Sequence, residues 1–442
     1  ELKKDIKLFG GISILAGIMI GSGIFVFAGL ILFRSGNALG LSLLAWILGG
    51  IFTLFSALTY GELGTMFPQS GGYYIYLKEA YGKRVAFLSG VMNFVLASSG
   101  SIALLAIIFS IVLTLVVPLG NFERVVSALI IIVLTAINYF GVRFGTLVQK
   151  IFLVAKLLPL GAIIFMGLFL GTETPHLSFT PDQPGSILSF VLLIGFAIAG
   201  TWWAYEGWTN LNSVADEMND VKKDLPKALS FSVLLVTLVY VLFIYSLYRL
   251  VSYPMLLALG TAEDARIPIT AVSQILGDFG QTFIFIAILV SIIGSLNGSI
   301  ISFPRVYYAM AKDQVFFKSF QKVHPKYQTP HIAILGSGMM ALLLLFFDVD
   351  FLLSFIVLVG VVFNTLIFIS VFLFRKKYPN MNRPYKVWGY PFVPLIAILA
   401  MVLLFASIVY LNGFRSLIGL AVLIVAYFIY PYVFNVKDKA LK

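Results

Sequence analysis

The sequence predicts an all-α integral membrane protein of twelve transmembrane helices, built as two five-helix repeats of inverted topology followed by two further helices. Three observations predict this. The 442 residues are 60% hydrophobic and only 11% charged, where a soluble domain carries about 25% charge. The chain divides into repeated apolar stretches of about 18 residues or more, each long enough to cross the roughly 30 Å of a hydrocarbon core. Two of these stretches, the first and the sixth, are broken near their midpoints. Unpaired backbone in hydrocarbon is costly and persists only where it lines a polar cavity, so matched breaks in two halves of a chain point to a small polar ligand held at the bilayer midplane.

In chain order the spans are read at 9–33, 39–66, 84–117, 124–141, 147–171, 186–214, 228–250, 281–311, 331–347, 351–374, 391–411 and 415–435. The first five form one repeat (1–171), the next five its inverted partner (186–374), and 391–435 holds the two additional helices. Linkers are short, and the longest, 251–280, has room for a small surface helix around 269–277. The first segment has no cleavage-site pattern and is read as a span rather than a processed leader.

The net charge of +11 is distributed as membrane orientation requires, not as a nucleic-acid surface. With the N-terminus on the cytoplasmic side, most Lys and Arg fall inside. Only Arg34, Arg124, Arg249, Arg266 and Arg415 fall outside, with Lys156 and Arg305 within spans. This follows the positive-inside rule, places both termini in the cytoplasm at a plasma membrane, and agrees with an even number of spans. Cysteine is absent, which excludes a disulfide, a thiolate nucleophile and a Cys-ligated metal. The three histidines, His176, His324 and His331, sit in predicted loops or at a span end, with no metal-ligand spacing. No catalytic residue, metal or cofactor is predicted.

The first break is Gly21-Ser22-Gly23. With Gly17, it also fits a close-packing stripe of small residues, and the second break decides for unwinding. That second break is read at Gly200-Thr201, ahead of Trp202-Trp203-Ala204-Tyr205-Glu206-Gly207-Trp208. Where segment 1 unwinds, one half-helix ends in free carbonyls and the next begins with free N–H groups around Ser22–Phe25. Helix N-termini attract anions and C-termini attract cations, so a zwitterionic α-amino acid matches both poles. The Trp202, Trp203 and Trp208 cluster lies too near mid-span for an interfacial belt and is read as a lid over the cavity. Lys156 lies about 13 Å of helical rise inside segment 5. A lysine at that depth faces a cavity or a partner, unless it snorkels to the surface. Pro159, one turn on, bends that helix. Glu206 reads as a cap or polar partner at the start of the inner half-helix, with lining of the side-chain end of the pocket as the alternative. Glu62 reads as a helix-end residue.

Several stretches resemble the amino acid–polyamine–organocation superfamily, and within it the L-type amino acid transporter family. They are Gly21-Ser22-Gly23-Ile24-Phe25, Tyr60-Gly61-Glu62-Leu63, Pro68-Gln69-Ser70-Gly71-Gly72, Ala204-Tyr205-Glu206-Gly207-Trp208 and Ala215-Asp216-Glu217-Met218. Asp224-Leu225-Pro226-Lys227-Ala228, Ser295-Leu296-Asn297-Gly298, Met310-Ala311-Lys312-Asp313, His324-Pro325-Lys326, Thr329-Pro330 and Arg383-Pro384-Tyr385-Lys386 follow in order. The resemblance implies a leucine-transporter-like five-plus-five fold and sodium-independent exchange of amino acids. It places Met19, Gly21, Ser22, Gly23, Ile24, Gly200, Trp202, Trp203 and Glu206 at the substrate, with Gly21 to Gly23 cradling the carboxylate. Carbonyls of Met19 and of the Gly200–Trp203 break take the ammonium. It places Trp203 as an aromatic gate, Lys156 where other members hold sodium, and Tyr240 and Asn297 beside them in gating or coupling.

Two departures shape the expectation. Animal members carry an outer-loop cysteine that links a glycoprotein partner, and the 118–123 loop has none. The chain therefore resembles bacterial members such as the alanine–serine–cysteine exchanger, with no disulfide-linked partner subunit. Glu206 stands where members accepting cationic amino acids can carry an acid. The expected function is exchange of small neutral amino acids. Proton-coupled uptake through Lys156 and acceptance of cationic amino acids are the alternatives, and a non-transporting sensor or membrane enzyme lacks any supporting domain or catalytic cluster.

Overall fold

The computed structural model describes residues 7–430 except 22, 69–70, 141, 184, 261–264, 414–419, 422 and 429, with the backbone alone at 13–14, 142–155, 213–214, 216–217 and 411–412. The chain is all-helical over these residues. It opens with α1 (Leu8–Met19) and α2 (Gly23–Arg34), one bent span whose halves meet at 52°. Next come α3 (Leu39–Met66), α4 (Tyr73–Tyr81), α5 (Lys83–Met92), α6 (Ser98–Thr114), α7 (Glu123–Phe140) and α8 (Val142–Leu170). A single π turn, Asn93–Ala97, joins α5 to α6 into one long span. The second half comprises α9 (Ile187–Ala204), α10 (Val221–Leu250), α11 (Tyr253–Leu259), α12 (Arg266–Lys312), α13 (His331–Leu344), α14 (Val349–Lys377) and α15 (Phe392–Asn412).

Among the described residues, eight helical segments are each long and apolar enough to cross a membrane, with a ninth where the bent α1–α2 pair is taken as one span. Lys156–Leu170 and α13 are shorter apolar helices. The expected last span, 415–435, lies mostly outside the described residues. The surface helix expected around 269–277 is the first part of α12, which turns at Gly277 (φ 59°, ψ −149°) before the long apolar part begins. Only glycine adopts that backbone without strain. Helix α4 was not foreseen. It is fastened to the end of α12, where Asp313 accepts from Lys78 Nζ at 2.7 Å and from the Tyr74 hydroxyl at 3.0 Å.

One expectation is corrected. The sixth segment is not broken at Gly200-Thr201, because α9 runs unbroken to Ala204. Thr201 closes its hydroxyl onto the Ile198 carbonyl at 2.8 Å, and Gly200 serves close packing. A Cβ there would lie 2.4 Å from Ile31 Cδ1 and 3.2 Å from Arg34 Nη1. The break comes at Tyr205–Thr209, before a 3-10 helix over Asn210–Glu217. Gly207 makes it possible: its φ is +118°, and a Cβ would meet Ile18 Cγ2 at 2.7 Å. A side chain there is excluded by both backbone strain and contact.

Glu62 is more than a helix-end residue. Fully buried, its carboxylate accepts from Arg375 Nε at 2.9 Å, Arg375 Nη2 at 2.6 Å and the Val387 N–H at 2.8 Å. Arg383 Nε stands 3.6 Å away, while its other nitrogens cap the carbonyls of Phe374, Tyr378, Pro379 and Met381 at the end of α14. The Tyr60-Gly61-Glu62-Leu63 and Arg383-Pro384-Tyr385-Lys386 stretches are thus the two sides of one node, with Tyr385 packed on Gly61. Glu62→Gln removes the charge from a bidentate pair and is expected to cost about 2 kcal/mol, the scale of charge-assisted hydrogen bonds. A thermal-denaturation midpoint of the purified variant equal to that of the wild type would contradict this.

Candidate functional site

Two helix C-termini converge at the centre of the bundle. At the end of α1 the ladder stops: Ile20 N–H still reaches Ala16 O at 2.9 Å, and Gly21 N–H turns back on Met19 O at 2.7 Å. At the end of α9, Tyr205 N–H bonds Thr201 O at 3.0 Å and Glu206 N–H bonds Trp203 O at 3.1 Å. The last carbonyls of a helix lack intrahelical partners and carry its negative pole. The buried Tyr240 hydroxyl lies between the two ends, 2.6 Å from Met19 O and 3.1 Å from Ala204 O. One proton serves two acceptors, so this place remains rich in unfilled acceptor capacity. Trp46 and Tyr205 hold the ring of Tyr240 at centroid distances of 5.7 and 5.0 Å.

Lys156 approaches the same helix end from α8. It is 1% exposed, which rules out the snorkelling alternative, and its Nζ donates to Gly17 O at 3.0 Å. The cation therefore sits on the negative pole of α1, the favourable placement for a charge in a low-dielectric interior.

On the other side of the break, α2 begins at Gly23 and presents its first N–H groups. Gly21 and Gly23 are both closely faced: a Cβ on Gly21 would lie 3.2 Å from Ser295 Oγ, and one on Gly23 3.0 Å from Ala204 Cα and 3.3 Å from Trp203 Cζ3. Ile24 is fully buried behind them. Ser22 lies outside the described residues. Trp203 covers the start of α2 and packs on Phe27, ring centroids 5.1 Å apart, which places it where a lid would be.

The remaining expected residues separate into two groups. Gly200 is away from the break, packed against α2. Trp202 is buried, with its ring 6.3 Å from Trp208 and its Nε1 3.9 Å from where a Cβ on Gly360 of α14 would stand. Trp208 in turn packs on Tyr60 at 4.8 Å, and the Tyr60 hydroxyl donates to Asn364 Oδ1 at 2.8 Å. Glu206 belongs to this group and is close enough to Tyr60 to interact electrostatically. Its side chain opens onto an enclosed space between the buried Tyr205 and Gly207, and its carboxylate accepts from the Gly207 N–H at the break. The N-cap of the 3-10 helix itself is Thr209. Asn297 is elsewhere. Buried in α12, it accepts from Asn138 Nδ2 at 2.8 Å, and its own Nδ2 has no partner among the described residues.

Four residues at this centre escaped the sequence reading. Ser295 faces Gly21, Tyr60 lies beside Glu206, Asn364 accepts from the Tyr60 hydroxyl, and Gly207 makes the second break. Ser295 and Tyr60 stood in recognised stretches without a role. Asn364 had a legible signal, being the sole amide in the apolar run 351–374.

A bundle of apolar helices with two helix ends, a buried lysine and an aromatic cover at its centre has the makeup of a membrane transport protein. The amino acid permease family model matches residues 6–432, and the chain belongs to that family. It is 34% identical to the serine/threonine exchanger SteT of Bacillus subtilis (strain 168) over 434 residues, covering 96% of this chain and 97% of that one. It is 30% identical to the human Asc-type amino acid transporter 1 over 397 residues, 87% of this chain and 74% of the other. With the mouse large neutral amino acids transporter small subunit 2 the identity is 31% over 399 residues, again 87% of this chain, and 73% of the relative.

Proposed function

We propose that this chain exchanges small neutral L-amino acids across a plasma membrane without sodium, by alternating access to the break between α1 and α2. Its twelve spans would form two inverted five-helix repeats and two further helices, with both termini in the cytoplasm. The observation that carries the reading is the meeting of the Met19 and Ala204 carbonyls at the Tyr240 hydroxyl. A substrate ammonium brings three donors to a place where two carbonyls share one proton. Its carboxylate then faces the first N–H groups of α2, the favourable pole for an anion. Sodium independence is supported by Lys156, whose ammonium already supplies the positive charge at Gly17 O. Names of the relatives support neutral amino acids, serine and threonine for one and large neutral amino acids for another, and the first supports small side chains. Counterflow in proteoliposomes with a panel of labelled amino acids tests the reading. Absence of exchange for every neutral substrate would refute it.

Glu206 favours a second reading of the substrate. A carboxylate beside Tyr60 that opens onto enclosed space, with one hydrogen bond from the Gly207 N–H, keeps acceptor capacity for the side-chain end of a bound amino acid. A cationic side chain there would gain a charge-assisted hydrogen bond of about 1.5–3 kcal/mol, roughly ten- to a hundred-fold in affinity. On this reading Glu206→Gln selectively weakens transport of arginine or lysine and spares serine and alanine. On the neutral reading it affects all substrates alike or none, and we expect the neutral outcome. Competition of unlabelled arginine against labelled serine, in both proteins, separates the two.

A further inference from the structure

Residues 375–392, which join α14 to α15, hold five basic residues, Arg375, Lys376, Lys377, Arg383 and Lys386. No acid occurs anywhere from 351 to 437. The two arginines are occupied in holding the segment in place. Arg375 grips Glu62 and lies over the Tyr390 ring at 3.7 Å, and Arg383 covers carbonyls at the end of α14. The Val387 N–H is fixed on Glu62, and Gly389, at φ +68°, turns the chain into α15. The three lysines are all exposed and make no ion pair among the described residues. A fixed frame thus displays three positive charges to whatever lies outside it.

Aromatic and apolar side chains border the same lysines. Trp388 is 73% exposed, and Tyr390 and Phe392 beside it are exposed as well. Along α15, Phe392, Leu395, Ile396 and Leu399 are exposed at the spacing of one helix face. The order along the chain is therefore charge, aromatic rim, apolar face. Trp and Tyr collect at the boundary between headgroups and hydrocarbon, which puts the lysines at headgroup level and the α15 face against acyl chains. A soluble anion would use the charges alone. A phospholipid with a net-negative headgroup matches all three layers.

We propose that the 375–392 segment and the start of α15 form a docking surface for an anionic phospholipid. Its headgroup is held by Lys376, Lys377 and Lys386, and its chains lie along the Phe392–Leu399 face. Juxtamembrane lysines attract anionic lipid, and each ammonium brings three donors to the headgroup oxygens. The leaflet is the cytoplasmic one, an assignment that rests on the topology of the proposed function.

Trp388 is a reporter already in place. The other tryptophans, Trp46, Trp202, Trp203 and Trp208, are buried, so a quencher carried on lipid chains reaches Trp388 first. The full chain is reconstituted in phosphatidylcholine with a small, equal fraction of either dibrominated phosphatidylglycerol or dibrominated phosphatidylcholine. Tryptophan fluorescence is recorded, and the quenching that is missing from Trp388→Phe is the Trp388 signal. Apparent affinity at Trp388 is expected to favour the anionic lipid by about five- to thirty-fold, the scale of one to two lysines acting on one headgroup. Lys376→Gln, Lys377→Gln and Lys386→Gln combined are expected to bring the ratio close to one, and added sodium chloride to reduce it. Equal quenching by the two lipids in the wild type would overturn the surface, and this comparison needs no variant. So would a ratio retained in the monodisperse triple variant, because charge elsewhere on the protein would then be responsible. Sodium phosphate that lowers the ratio more than sodium chloride of equal ionic strength would assign the lysines to a soluble anion and overturn the lipid. The readout needs no transport, and brominated lipid is present in both leaflets, so failure of counterflow or of the topology leaves it interpretable.

Discussion

Replacing Lys156 by alanine is expected to lower amino acid exchange by about ten- to a hundred-fold, the equivalent of the 1–3 kcal/mol lost when a buried acceptor loses its donor. The acceptor is Gly17 O, one of the last carbonyls of α1, and Lys156 Nζ donates to it at 3.0 Å. A lysine at mid-span costs about 2.5–3.5 kcal/mol to insert, so its removal relieves one cost and creates another. Insertion and folding should therefore survive, and the loss should appear in flux. The end of α1 would remain strongly negative without its cation, and Met19 O, which meets the substrate ammonium in the proposed site, would be displaced with it. The measurement is counterflow by purified wild type and Lys156→Ala in proteoliposomes, with sodium and then with choline as the only external cation. Equal wild-type flux in the two media is expected. A wild type that requires sodium, or a variant with normal flux, would remove Lys156 from this role.

Gly23→Val is expected to abolish exchange in a protein that still inserts and purifies as a monodisperse species. The first added atom would stand 3.0 Å from Ala204 Cα, 3.1 Å from Ala204 Cβ and 3.3 Å from Trp203 Cζ3. Two of these are backbone or nearly so and cannot rotate away. The two methyl groups beyond would enter the space where α2 presents its N–H groups, forcing α2 from α9 at the break. Overpacking of this kind costs about 1–3 kcal/mol, which a bundle of this size tolerates, but the geometry of the cradle does not. Normal exchange by the variant would show that the carboxylate is held elsewhere.

These two residues were legible in the sequence because each violates the rule of its surroundings, a charge and a glycine pair inside apolar spans. The second break was harder to place. Glycine serves both backbone freedom and close helix approach, and Gly200 and Gly207 look alike in a string of letters. Only the structure tells them apart, by φ at one and by Ile31 and Arg34 at the other. Glu62 was underestimated for another reason: its partner Arg375 lies 313 residues away, and pairing at that separation leaves no local periodicity. Its two flanking stretches were recognisable as motifs, but their meeting was not. Asn138 and Asn297 illustrate the same limit, since an amide pair between α7 and α12 has no signature beyond two amides in apolar runs. Helices α3, α7 and α15 were read to within a residue, whereas α10 begins seven residues before its expected span and α9 ends ten residues before the end of its own, because the polar ends of a helix leave no mark in hydropathy.

The unbroken length of α14 has a mechanical consequence. Asp350 and Arg375 lie on one helix, separated by about 37 Å at 1.5 Å per residue. A tilt of about 5° pivoting near Arg375 would sweep Asp350 through ~3 Å over that arm, more than the slack in the 2.7 Å ion pair that Asp350 makes with Arg34 of α2. The same tilt would carry Asn364, less than half as far from the pivot, through only ~1–1.5 Å. That displacement is small enough for the Tyr60 hydroxyl to follow. Moving as one body, the helix would convert a small displacement at Asn364 into one large enough to part its far tip from α2. Mechanical advantage of this kind would be weakened by any kink placed between residues 364 and 350.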